Sequence, residues 1–103
     1  MKYKEFLEYL ELNLGGYKIF MNKALSYQRI KNAKRPPKSR WSEEKMEKAA
    51  YDMWKTSMEA LYNNLKFEIK SDLPYSWKTY MEKHEILESV NESISELDFT
   101  NED

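Results

Sequence analysis

Lys34-Arg35-Pro36-Pro37-Lys38-Ser39-Arg40-Trp41-Ser42-Glu43-Glu44 is the stretch on which the fold turns. Proline has no N–H and disfavours helix in the residue before it, so a helix arriving from the N-terminal side must end by Arg35. Ser42 is a good N-cap, and Glu43 and Glu44 fall in the positive first turn of the helix that follows. Trp41 before the cap and Met46 at the fourth helical position suit a hydrophobic staple. The stretch therefore reads as an elbow between two helices. Lys31, Lys34 and Arg35 then stand at the C-terminal end of the first helix, where its dipole favours cations.

On the N-terminal side, apolar residues fall at Tyr3, Leu7, Leu10, Leu14, Tyr17, Met21 and Ala24. Alternating steps of four and three make a helical seam. The seam crosses Gly15-Gly16 without a phase slip, which predicts one helix from about Tyr3 to Ala33, kinked at the pair at most. Two glycines cost about 2 kcal/mol against alanine. The competing reading is a short helix, a Gly-Gly turn and a second helix. Phe6, Tyr9, Ile19, Phe20, Tyr27 and Ile30 form a second apolar row, a wider buried face or a partner surface.

On the C-terminal side, Met46, Ala50, Met53, Trp54, Met58, Leu61, Leu65 and Ile69 continue with helical spacing over 43–70. That is about 28 residues, or roughly 42 Å at the helical rise. Two helices of similar length around a short elbow predict a long antiparallel hairpin. Ser71-Asp72-Leu73-Pro74 is the next break, with Asp72 as the expected cap and Pro74 in the first turn of a shorter third helix over 74–97. The polar run Glu82-Lys83-His84-Glu85 bends or breaks that helix. Residues 100–103 read as a frayed tail. The expectation is a single all-α domain over 1–103: a helical hairpin plus a C-terminal helix, forming a three-helix bundle.

Composition agrees with this reading and narrows the function. Two glycines and three prolines are too few to punctuate many strands. The absence of cysteine removes disulfides, thiolate metal sites and cysteine nucleophiles, and fits a reducing, cytoplasmic setting. No apolar run has the length of a signal peptide or a membrane span, so no membrane association is expected. Asn91-Glu92-Ser93 matches a glycosylation sequon but has no secretory context.

The residue types that carry catalysis are poorly placed. His84 is the sole histidine. It has Glu88 one helical turn away, yet there is no second histidine or cysteine to complete a zinc site. No Glu-x-x-His pair marks a di-iron bundle, and Gly15-Gly16 lacks the spacing of a phosphate loop. The carboxylate pairs Glu43/Glu47 and Glu88/Glu92 have the spacing of solvated helix faces. No enzyme activity, cofactor or metal is expected.

Charge is what remains. Net charge is −1, but between Leu12 and Ser42 there is no acid at all, against Lys18, Lys23, Arg29, Lys31, Lys34, Arg35, Lys38 and Arg40. Arg29, Lys31, Lys34, Arg35, Lys38 and Arg40 gather towards the elbow with Tyr27 and Trp41 beside them, the composition of a phosphate-contacting or acid-binding surface. The elbow is not a helix-turn-helix. Beyond Lys83 there is no lysine or arginine, and Glu85, Glu88, Glu92 and Glu96 recur at helical spacing, suiting a basic protein surface. Six methionines, three tryptophans and eight tyrosines exceed what so small a core needs, and such residues are frequent at interfaces. In size, residue usage and lack of cysteine the chain resembles small phage-encoded or bacterial helical proteins such as anti-CRISPR inhibitors and bacteriocin-immunity proteins. The resemblance is one of general character, with no shared motif. The functional expectation is a protein-binding inhibitor that occludes a partner. The alternative is a nucleic-acid-binding accessory protein using the elbow over 29–41, and a homodimer is a further option.

Overall fold

The first predicted helix is two helices. In the computed structural model, which describes residues 1–99, α1 runs Tyr3–Asn13 and α2 Gly16–Ala33. A 3-10 turn at Pro37–Ser39 follows, then α3 Glu43–Ile69, α4 Pro74–Lys83 and α5 Ile86–Glu96. The described residues contain no strand, and no helix among them is long and apolar enough to cross a membrane. The all-α expectation is borne out. The frayed tail expected at 100–103 lies outside the described residues.

The single helix over 3–33 is corrected at Leu14, whose backbone is extended (φ −103°, ψ 109°). The seam still keeps its register. Leu7, Leu10, Leu14 and Ala24 are buried, and Tyr3, Tyr17 and Met21 are half-buried. Both segments bury the same side, so apolar spacing survives a change of direction. What enforces the break lies far along the chain. The Gly16 N–H donates to Asn91 Oδ1 on α5 (2.7 Å), and α5 approaches Gly16 too closely for a side chain. Neither glycine has a positive φ, and only Gly16 is required, by the close approach of α5, since the β-position of Gly15 is open.

The elbow forms as its residues dictate. Ser42 Oγ accepts from the Lys45 N–H (3.2 Å) and caps α3. Asn32 clamps the turn from the other side: its Oδ1 accepts from the Trp41 N–H (2.8 Å) and its Nδ2 donates to the Trp41 carbonyl (3.1 Å). The cap expected of Asp72 is not made. Leu73 occupies the cap position of α4, and Ser71 satisfies the turn instead. Ser71 Oγ accepts from the Leu73 N–H (3.2 Å), and its carbonyl accepts from Trp77 Nε1 (2.6 Å). The run 82–85 holds a true break: α4 ends at Lys83, and Glu85 lies in the left-handed region (φ 51°).

Contacts join the first two helices to α3 and to the elbow before it. Asn32 meets Trp41, Gln28 meets Met53, Phe20 meets Trp54, and Tyr3 meets Lys55 and Tyr62. The core has two aromatic centres. Trp54 packs on Tyr17 (4.8 Å between ring centres) and Phe20 (5.3 Å). Trp77 stacks on Tyr62 (5.0 Å) and meets Phe6 edge-on (5.9 Å). Leu10, Met81 and Ile94 extend the same buried cluster into α1, α4 and α5.

Glu11 supports the first centre. One of its oxygens accepts from Tyr51 Oη (2.8 Å) and from Trp54 Nε1 (3.2 Å). Burial, then the hydrogen bond to Glu11 and its charge, push the Tyr51 phenol up to about 12. Burial and the Glu11 charge raise Tyr17 as well. A phenol raised in the folded state favours the fold below pH 10, the ordinary value, and loses that contribution as pH climbs towards 12. An absorbance titration should therefore show late-ionising tyrosines. Tyr51→Phe should remove the latest step and Glu11→Gln should advance it. Ionisation of all eight tyrosines together near pH 10 would disprove the cluster.

Candidate functional site

The basic stretch comes together at the elbow, but much of it is engaged within the chain. Arg29 forms an ion pair with Glu43, and that hydrogen bond is the main reason its guanidinium is held above its ordinary value. Arg35 lies over the Trp41 ring, 3.9 Å from its centre, and donates to Asn32 Oδ1 (3.1 Å). Lys45 also stands over Trp41, at 4.6 Å. Arg40 donates to the carbonyls of Arg35 (3.3 Å) and Ala33 (3.4 Å) at the end of α2, where a cation is favoured. Lys31 lies over the Tyr27 ring (5.3 Å), and that ring also packs against Phe99 (6.0 Å). Trp41 and Tyr27 are thus half-buried rings already carrying cations of their own chain. Lys18, Lys34 and Lys38 have no side-chain partner among the described residues.

Lys23 has a role that charge counting misses. Its ammonium donates to the carbonyls of Ile94 (2.9 Å), Ser95 (3.0 Å) and Leu97 (2.9 Å). It closes the C-terminal end of α5, the negative end of that helix dipole. With Gly16–Asn91 it ties α5 to the first half of α2, away from the elbow.

The acidic residues are displayed. Glu85, Glu88, Glu92 and Glu96 are all exposed, and none has a side-chain partner among the described residues. They do not fold back onto the elbow cations. Glu85 and Glu88 also edge a small cleft of about 140 Å³ with Tyr9, Met81 and Leu87. The helical relation between His84 and Glu88 is lost, because the chain turns at Glu85. His84 instead lies against the Tyr80 ring (4.3 Å between ring centres). Glu43 is the partner of Arg29 rather than one half of a free carboxylate pair. Among the described residues, no group of three or more His, Asp or Glu side chains is gathered as a metal site would require.

A second feature adjoins the acidic row and was not legible in the sequence. α3 and α5 both pack against α2 and leave an open groove of about 380 Å³ between them. Met58, Leu61, Ile86, Val90 and Ile94 make it apolar, and Ser57, Ser89 and Ser93 also line it. Helical spacing placed these apolar residues on core faces, and nothing in a one-dimensional pattern says that two such faces fail to close on each other. Comparison of the chain with protein-family models, with curated proteins and with solved structures yields no match.

Proposed function

We propose that this chain is a non-enzymatic protein-interaction module that binds a partner protein and occludes part of its surface, an inhibitor of the kind phages and mobile elements encode. Its scaffold is read as a long antiparallel helical hairpin with the two C-terminal helices folded across it. The observation that carries this reading is the contrast between the two charged regions. All three of the elbow's arginines are turned to holding the fold, whereas Glu85 at the start of α5 and Glu88, Glu92 and Glu96 along it stand exposed with no opposite charge paired to them among the described residues. Maintaining such a row carries self-repulsion of a few tenths of a kcal/mol per neighbouring pair, which a basic partner surface would relieve. A cytoplasmic setting suits a chain without cysteine.

Immobilised protein should retain a stoichiometric partner from bacterial lysate, and the triple variant Glu88→Lys, Glu92→Lys, Glu96→Lys should lose it with helicity unchanged. No partner, or a partner indifferent to the triple variant, would refute the reading. Lys34 and Lys38, exposed at the elbow without a side-chain partner among the described residues, favour the second reading of a nucleic-acid-binding accessory protein. If it holds, DNA or RNA is retained at low salt, released as salt rises, and lost in the variant Arg35→Ala, Lys38→Ala, Arg40→Ala. No retention at low salt removes it.

A further inference from the structure

The groove between α3 and α5 has the shape of a missing helix position. Both walls are helices, and both rest on α2. Its floor is apolar: Phe20 of α2 lies beneath Met58, Leu61, Val90 and Ile94, and Phe99 also lines it. Ser57 on α3 and Ser89 and Ser93 on α5 are exposed and short. Short side chains let another helix approach to the usual interaxial distance of roughly 8–10 Å. α5 is 11 residues long, or about three turns, which sets the length of an occupant.

The two walls differ in charge. On α5, Ile86, Val90 and Ser93 recur every three or four residues and line the groove, with Leu97 just past the helix end. Beyond Ser89 and Ser93, Glu92 and Glu96 stand exposed in the neighbouring row of α5, whereas Glu85 and Glu88 edge the separate cleft with Tyr9 and Met81. On α3, Ser57, Ala60 and Asn64 are exposed and uncharged. An occupant therefore meets an apolar floor, an acidic flank and a neutral flank.

We propose that this groove receives an amphipathic helix of a partner protein, about three turns long, whose apolar face fills the floor and whose flank towards α5 carries lysine or arginine. The proposal rests on the protein-interaction reading above and specifies the partner's chemistry.

The test uses the full chain, isotope-labelled, and two synthetic three-turn helical peptides. Both carry leucines at i, i+3 and i+7. One has lysines along one flank and the other has glutamates at the same positions. The lysine peptide should shift resonances of Met58, Leu61, Val90 and Ser93, and bind about tenfold or more tighter than the glutamate peptide at low salt. Ser93→Trp places an indole over the groove from an exposed position and should abolish these shifts with the fold intact by circular dichroism. Glu92→Lys with Glu96→Lys should reverse the preference between the peptides.

Equal binding of the two peptides, shifts confined to the elbow, no shifts, or unchanged binding by Ser93→Trp would each overturn the proposal. So would concentration-dependent dimerisation abolished by Ser93→Trp, which would mean that a second copy occupies the groove. The captured partner separates the two levels. A partner lost in the Glu88, Glu92, Glu96 lysine variant but kept by Ser93→Trp ends the groove proposal and leaves the interaction reading standing. A partner kept by both ends both.

Discussion

Trp54→Ala is expected to lower stability by about 3–5 kcal/mol, a large part of what a domain of this size possesses. The indole is fully buried, with no exposed surface. It lies against Tyr17 and Phe20, and its N–H is one of two donors to Glu11. Truncation leaves a cavity bounded by helices that cannot collapse independently, because α1, α2 and α3 all border it. It also takes a donor from a carboxylate that holds Tyr51. Trp41 provides the contrast. It is half-buried at the elbow under Arg35 and Lys45, and exposed cation–π contacts contribute roughly 0.5–1 kcal/mol each. Trp41→Ala should therefore cost well under half as much. Urea unfolding followed by circular dichroism would measure both. A larger loss for Trp41→Ala than for Trp54→Ala would contradict the placement of the core.

Gly16→Val is expected to cost about 3 kcal/mol, while Gly15→Ala should gain about 0.4–1 kcal/mol. A β-carbon on Gly16 would lie 2.5 Å from Asn91 Oδ1 and 3.1 Å from Ile94 Cδ1, with the α5 backbone at 3.5 Å. Asn91 can swing away, but only by releasing the Gly16 N–H it accepts. The branched side chain of valine then presses on α5 itself. Gly15 has open space around its β-position and already sits in right-handed helical backbone (φ −58°, ψ −32°). There alanine only reduces the freedom of the unfolded chain. Adjacent glycines with effects of opposite sign would identify α5 docking as the reason for glycine at position 16. Equal effects of either sign would mean that α5 does not approach α2 at this point. Because α5 carries the acidic row and one wall of the groove, Gly16→Val should also weaken partner capture, and Gly15→Ala should leave it unchanged.

Much of the architecture was legible residue by residue, because its signals are local. Pro36-Pro37, the Ser42 cap and the first-turn acids define the elbow and the start of α3, and all of them act within one helical turn. Pro74 begins α4 for the same reason. The seam from Tyr3 to Ala24 correctly marked one buried side. It did not reveal the break at Leu14, since two helices burying the same side preserve the same spacing. Asp72 looked like a cap because of its residue type, but the turn is held by Ser71 through the distant ring nitrogen of Trp77.

The charged surfaces divide in the same way. From sequence alone come an all-helical chain, a basic middle without acids and an acidic C-terminal third, because composition, capping and periodicity are properties of neighbouring residues. Which of those charges face solvent was decided only in three dimensions. Lys23 was one cation among eight until α5 brought three carbonyls to it, and Arg29, Arg35 and Arg40 found partners across the elbow. Glu85, Glu88, Glu92 and Glu96 found none among the described residues. The groove between α3 and α5 likewise exists because both helices rest on α2 and leave a gap between them. Pairing and closure depend on distances between residues remote in the chain, and periodicity within a helix carries no record of them.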